Sequence, residues 1–417
     1  MTNSRPDQLQ PDHVVVAGGG VAGLEAVMAL RELAGDRVRI TLVAPDDDFV
    51  YRPLTVGDPF ALGSARRVPL ERFAAEFGAE LRQDRLDSVF PEAHTVFLAG
   101  GDDLTYDRLI VAVGASAVPA YQHHGTTFRG QEDVEAIHGL VQDVEEGYVH
   151  RIVFVVPPGV AWSLPLYELA LMTARRAFEM EAEVELTFVT PEERPLPVFG
   201  PRATADVAAR LAKAGIRTVC STIADIPRKG AVLLRPSGEL LECDRLITLP
   251  VARPIRIKGL PTDSEGFLPI DSHCRVGGVA DVYAAGDGAN FPLKQGGLAC
   301  QQADVAAENI ARSAGVPVGP ASFRPVLRGQ LLTGEKPQFM RHDLSGRGTG
   351  RDESSEHLLW WPPTKIAGKY LAPYMAVDEE QDRAATMGNG VRRRALVTPA
   401  LDGSRDIELR GYEFASR

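Results

Sequence analysis

Apolar positions along the chain fall into two repeating series of buried strand, tight turn and amphipathic helix. The run HVVVAGGGVAGLEAVMAL, residues 13–30, reads as a buried strand, a glycine turn and a helix, and RVRITLVAP follows as a second strand. That spacing completes one βαβ unit. Residues Tyr51 to Phe77, interrupted by Pro53, Pro59 and Pro69, read as irregular, and TYDRLIVAVGA then supplies another apolar strand ending in glycine. A second series opens with RIVFVV at Arg151. It continues through a helix over Leu164 to Phe178, the strand VELTFVT and a helix over Ala203 to Ala214. Ser237 and Gly238 mark a hairpin between alternating runs. The strand in VYAAGDGANF leads into a helix over Gly297 to Ala314. Beyond Phe323, RGTGRDESSEH reads as a polar loop and LLWWPPTKIAGKYLAPYMAV as a compact aromatic cap containing Trp360, Trp361, Tyr370 and Tyr374. Weak order is expected from about Asp378 onwards.

The pattern predicts an α/β chain with tandem Rossmann-like folds and a C-terminal cap. One dinucleotide-binding domain is expected from residues 1–125 and 251–325, a second nucleotide-type domain from 126–250, and the cap and tail from 326–417. A length of 417 residues suits such a division.

Composition narrows the function. The formal net charge of −11 and the lack of a basic stripe argue against nucleic acid as a partner. The four cysteines, Cys220, Cys243, Cys274 and Cys300, form no C-x-x-C pair, so their spacing suggests neither a metal site nor a redox dithiol. The polar lead has no apolar signal region, and apolar runs such as Ile152 to Val156 are strand-sized. A cytoplasmic location is expected, with room for peripheral contact with a membrane and for a homodimer.

Gly18, Gly20 and Gly23 form G-x-G-x-x-G at a strand–helix junction. The first allows the tight turn, the second the approach of a pyrophosphate, and the third close helix packing. Ala44 and Pro45 stand where an acid at the end of the second strand would meet a ribose, so Asp46, just beyond, is the candidate; a solvated acidic turn is the alternative. A second signal is the strand ending in Gly286 and Asp287.

Taken in order, the N-terminal G-x-G-x-x-G, TYDRLIVAVGA and ADVYAAGDGANF resemble the flavoproteins that include type II NADH dehydrogenases and sulfide:quinone oxidoreductases. The resemblance covers roughly residues 13–375. It implies FAD in the first fold, with Asp287 meeting the ribityl and pyrophosphate part, Gly114 close to the cofactor, and FVYRPL, with Tyr51 and Arg52, running past the flavin. Within KQGGLACQQADVAAENI, Lys294 and Gln301 match the stretch that approaches flavin and quinone in type II NADH dehydrogenases, whereas Gly297 replaces an expected glutamine. Cys300 reads as a small buried helix residue.

The chain also departs from these relatives. Its second fold carries VVPPGVAWSLPLYELAL in place of a glycine-rich turn. Pro157 and Pro158 remove two N–H donors, and Trp162 fills space that a pyrophosphate needs. The position where sulfide:quinone oxidoreductases carry a cysteine holds Val160 or Ala161, and no cysteine follows Cys300. The expected function is an FAD-dependent oxidoreductase passing electrons from an unidentified donor to a quinone-like or other small-molecule acceptor without a cysteine relay. Two alternatives stay open: an NAD(P)H dehydrogenase with a modified nucleotide pose, and a non-catalytic flavin-bearing assembly protein.

Overall fold

The computed structural model describes residues 10–121, 124–345 and 352–377. The chain divides into a main unit, 1–373, and a C-terminal unit, 374–417, of which residues 374–377 are described. The tail from Asp378 lies outside the described residues.

The first glycine turn sits at the centre of a parallel sheet. Strand β1 (Asp12–Ala17) runs into helix α1 (Val21–Ala34) and returns as β2 (Val38–Val43). Strand β3 (Arg108–Val111) pairs on the other side of β1, and Glu80–Arg82 and Val282–Ala284 complete the edges. Val14, Val15 and Val16 are 0% exposed, as expected where both faces of a parallel sheet are covered.

The second series repeats this plan. Strand β4 (Arg151–Val155) leads through a turn into helix α2 (Leu164–Glu179) and strand β5 (Glu185–Val189), with Arg217–Val219, Arg245–Thr248 and Thr126–Thr127 completing a second parallel sheet. Tyr167 of α2 packs on Phe188 of β5 with ring centroids 4.2 Å apart. Ala115–Pro119 and Pro250–Pro254 pair antiparallel where the chain leaves the first sheet and comes back to it.

Helix α3 (Gly296–Ser313) then packs against α1. It is followed by β6 (Val326–Leu331), which pairs antiparallel with Gln338–Asp343, itself paired with Glu353–Ser355. The strict alternation along β6 sends Leu327 and Leu331 into the second core and leaves Val326, Arg328 and Gln330 on the other face.

The structure differs from the sequence reading in three places. The stretch read as irregular contains strand Arg66–Pro69 and helix Leu70–Glu76. Pro69 is the residue before the first turn of that helix and not a breaker, because a helix start needs no N–H from proline. The helix expected from Ala203 begins at Gly200, with Pro201 in its first turn. The aromatic cap is split: Trp360 packs on Phe339 at 5.1 Å, whereas Trp361 is 69% exposed.

Candidate functional site

Beneath the turn between β1 and α1 there is space for glycine only, and above it the space is open. Gly18 has φ +127°, and a Cβ there would stand 2.1 Å from Ala112 O; a Cβ on Gly23 would stand 1.8 Å from Gly18 O. A Cβ on Gly20, by contrast, meets nothing within 4 Å. Gly20 is the N-cap of α1 and no side chain caps it. Among the described residues the first-turn N–H groups and the positive end of the helix dipole therefore have no side-chain cap, an arrangement that fits a pyrophosphate. At the end of β2, Asp47 accepts the Gln83 amide and Asp48 lies 3.6 Å from Arg67. Asp46 is exposed, and its carboxylate has no partner among the described residues.

Two further glycine turns meet beside it. Gly114 has φ +75° and Gly286 φ +83°, and a Cβ on Gly288 would stand 3.1 Å from Gly114 O. Gln302 of α3, 2% exposed, fixes the turn by accepting the Gly286 N–H at 2.8 Å. The fold thus brings Gly114 and Asp287 together. Burial pushes the Asp287 carboxyl above the usual range, against the pull of Lys294 and Arg52. Lys294 is in turn held down by burial; its ammonium donates to Ala289 O at 2.5 Å and stands 3.9 Å over the Phe267 ring. A free acid at the end of β2, an open helix N-terminus and a covered carboxyl beside a cation are the set of groups that a flavin dinucleotide needs.

Asp287, Lys294 and Arg52 line a cavity of about 340 Å³. The same lining carries Phe128, Val160, Trp162, Leu164 and Pro165, with Leu249 and Pro250 at the start of the returning strand. Two groups in the lining escaped the sequence reading. Glu168 of α2, 0% exposed, receives Lys365 Nζ at 2.7 and 2.8 Å on its two oxygens and the Leu332 N–H at 2.8 Å. Burial raises the Glu168 pKa despite Lys365, and burial lowers that of Lys365 despite Glu168. The signal available beforehand was an acid inside the apolar helical run LPLYELALM.

Gln301, expected beside the flavin, is used elsewhere. Its amide donates to Gly297 O at 3.0 Å and Val326 O at 2.9 Å, and its oxygen accepts the Val326 N–H at 2.9 Å. With donors and acceptor taken by backbone, Gln301 fastens β6 to α3 and does not line the cavity. Tyr51, 4% exposed, is a packed aromatic whose hydroxyl accepts the Ile366 N–H at 3.0 Å. Arg52 next to it reaches the cavity. Cys300 is 0% exposed, and burial and Glu25 push its thiol pKa well up.

The turn of the second fold carries bulky and proline side chains, several of which face the cavity. Trp162 packs edge-on against Phe199 with centroids 5.7 Å apart, and Pro165 occupies the first turn of α2. The acid beyond β5, Glu192, is the counterpart of the position that meets a ribose in a dinucleotide fold. Here Ser163, Tyr167 and Thr190 donate their hydroxyls to it at 2.9, 2.5 and 2.9 Å.

Comparison with known proteins agrees with this geometry. Residues 12–309 match the family described as pyridine nucleotide-disulphide oxidoreductase. Over 190 residues the chain is 30% identical to the sulfide-quinone reductase of Aquifex aeolicus, a match spanning 43% of this chain and 43% of that relative's length. It is 24% identical to the demethylphylloquinone reductase NdbB of Synechocystis sp., over 80% of this chain and 85% of that protein. The solved sulfide:quinone oxidoreductase of Aquifex aeolicus superposes with a TM-score of 0.76 at 19% identity, covering 91% of this chain and 92% of that one, which shows a shared fold. The chain therefore belongs to the pyridine nucleotide-disulphide oxidoreductase family and is an FAD-dependent oxidoreductase.

Proposed function

We propose that this enzyme takes electrons from a donor other than NAD(P)H and passes them through FAD to a quinone-like acceptor, with no cysteine relay. The observation that carries the reading is the occupied acid of the second fold: three internal hydroxyls take Glu192, and Trp162 stands in the turn where a glycine would admit a pyrophosphate. Val160 and Ala161, one or other of which stands where a sulfide-oxidising relative would need a thiolate, both line the cavity as apolar side chains.

In this reading Gly18, Gly20 and Gly23 present α1 to the pyrophosphate, Asp46 accepts from a ribose hydroxyl, and Gly114, Gly286 and Asp287 hold the middle of the cofactor. FAD, when bound, supplies the electron transfer itself. Arg52 and Lys294 offset negative charge at the cavity, and Trp162 and Phe128 offer flat apolar surface to a planar acceptor. Lys365, paired with Glu168, delivers a proton to an acceptor oxygen in the same cavity. The names of the sulfide-quinone and demethylphylloquinone reductases support a quinone as acceptor. Among the described residues no helix is long and apolar enough to cross a membrane. Leu358 and Trp361, 46% and 69% exposed, support contact with a membrane surface, where lipid-soluble quinones reside.

The test is an anaerobic titration of the FAD-loaded protein, followed through the visible flavin band. Neither NADH nor NADPH is expected to bleach it, whereas chemically reduced protein is reoxidised by a short-chain quinone. Rapid bleaching by either nucleotide would overturn the reading.

A further inference from the structure

A short segment, residues 365–371, delivers Lys365 and Ile366 to the cavity wall and is pinned at three points. Lys365 meets Glu168, the Ile366 N–H meets the Tyr51 hydroxyl, and the N–H groups of Tyr370 and Leu371 donate to the two oxygens of Glu25 at 2.9 and 2.6 Å. The third point is the unusual one. Glu25 lies on α1, 0% exposed, under the segment. A Cβ on Gly368 would stand 2.8 Å from Glu25 Oε2 and 2.7 Å from Cys300 Sγ, so the segment rests directly on α1 and α3.

Asp304 of α3 stands against Glu25, side chain to side chain. As two carboxylates they would repel in a water-poor site and leave Asp304 Oδ1 buried without a partner. A single shared proton turns the contact into a hydrogen bond. Glu25, already receiving two backbone donors, is the better anion; Asp304 receives none and is the better acid. The other titratable groups around the pair are Cys300 and Glu308 on α3, Glu32 on α1, and Lys369 and Tyr370 on the segment. Lys369 Nζ lies 3.7 Å from Glu308 and 5.1 Å from the Tyr370 ring, so the one cation among them is shared.

We propose that Glu25 and Asp304 are positioning residues that hold one proton between them and so fasten residues 366–371 onto α1 and α3, and that losing this proton releases the segment. Both carboxyl pKa values are raised, by burial first. The sign follows: an acid whose folded pKa is raised contributes full stability below its unfolded value, about 4, and loses it as pH rises towards the folded value. The segment is held most firmly at low pH and loosens on the alkaline side. The consequence for turnover rests on the role proposed for Lys365; the latch does not.

The test is amide hydrogen exchange on the full FAD-loaded chain from mildly acidic to alkaline pH, with rates corrected for intrinsic base catalysis. Protection of the Tyr370 and Leu371 amides is expected to fall by up to about tenfold per pH unit as pH rises towards the pair's folded pKa, and to level off above it, as the loss of one proton requires. Asp304→Asn, whose amide donates without titrating, is expected to keep protection level over the same range. Wild-type protection that does not change with pH overturns the proposal, as does an Asp304→Asn variant with the wild-type midpoint. Should Asp304→Asn fail to fold, the infrared band of a protonated carboxyl at neutral pH decides when wild-type protein is compared with Glu25→Gln: a component that shifts or vanishes in the variant supports the shared proton, and an unchanged band overturns it. Loss of protection without loss of turnover leaves the latch standing and overturns the role of Lys365.

Discussion

Lys365 Nζ stands 2.7 and 2.8 Å from the two oxygens of Glu168, a partner 197 positions earlier in the chain, with the side chains 7% and 0% exposed. An ion pair this far from water owes little net stability to its charges, because desolvation offsets their attraction. Its place in the cavity lining points to function instead.

Removing one member should show this. Glu168→Gln or Lys365→Met each strands a buried charge and is expected to cost about 3–5 kcal/mol in chemical denaturation. The double variant Glu168→Gln/Lys365→Met removes both charges and should recover most of that loss while turnover with a quinone stays low. Recovery of turnover along with stability would mean that the pair is only structural.

The glycine turn offers a cleaner separation of fold from cofactor. A methyl on Gly20 meets no protein atom within 4 Å, whereas one on Gly23 would stand 1.8 Å from Gly18 O. Gly20→Ala should keep the wild-type thermal midpoint yet bind FAD about tenfold more weakly or worse, by flavin content and titration. Gly23→Ala should lose the fold of the turn itself. Unchanged FAD affinity in Gly20→Ala would place the pyrophosphate elsewhere.

Thiol chemistry should be dispensable. Cys243, Cys274 and Cys300 are buried, and burial pushes their thiols up, Cys243 to about 11. Cys220 is half-buried and is also raised by burial, with Glu192 adding to the effect. At about pH 8, close to the ordinary thiol pKa, native protein should label slowly and at Cys220 alone, by mass spectrometry, with no change in flavin turnover. Inactivation that follows labelling would restore a cysteine relay to the mechanism.

The Glu192 cluster predicts a stability effect remote from the flavin. Tyr167, 0% exposed, donates its hydroxyl at 2.5 Å to Glu192, and burial followed by that carboxylate raises its pKa well above the usual value. Tyr167→Phe should cost about 1.5–3 kcal/mol, the range for hydrogen bonds to a charged group, without making the flavin reducible by NADH. A neutral substitution would show that Glu192 is held by its other partners.

The first glycine turn was legible because its requirements are local. Gly18, Gly20 and Gly23 lie within one strand–turn–helix, and steric limits at a turn act between near neighbours, so spacing alone reveals them. The Pro157–Pro158 turn was legible for the same reason. Lys294 lies within reach of Asp287's charge, as their short separation along the chain allows, whereas helix position does not say that the Val326 backbone would take the Gln301 amide.

The sequence by itself therefore determined the strand–turn–helix units, the glycine turn between the first strand and helix and the lack of a C-x-x-C pair, all of which depend on residues close together along the chain. Only the tertiary structure decided that Glu168 meets Lys365, that Glu25 lies under Tyr370 and Leu371, and that Glu192 is closed off by three hydroxyls. An isolated acid in an apolar helix signals burial, but its partner is chosen by which distant segment packs across it, and that choice is made by the whole core at once.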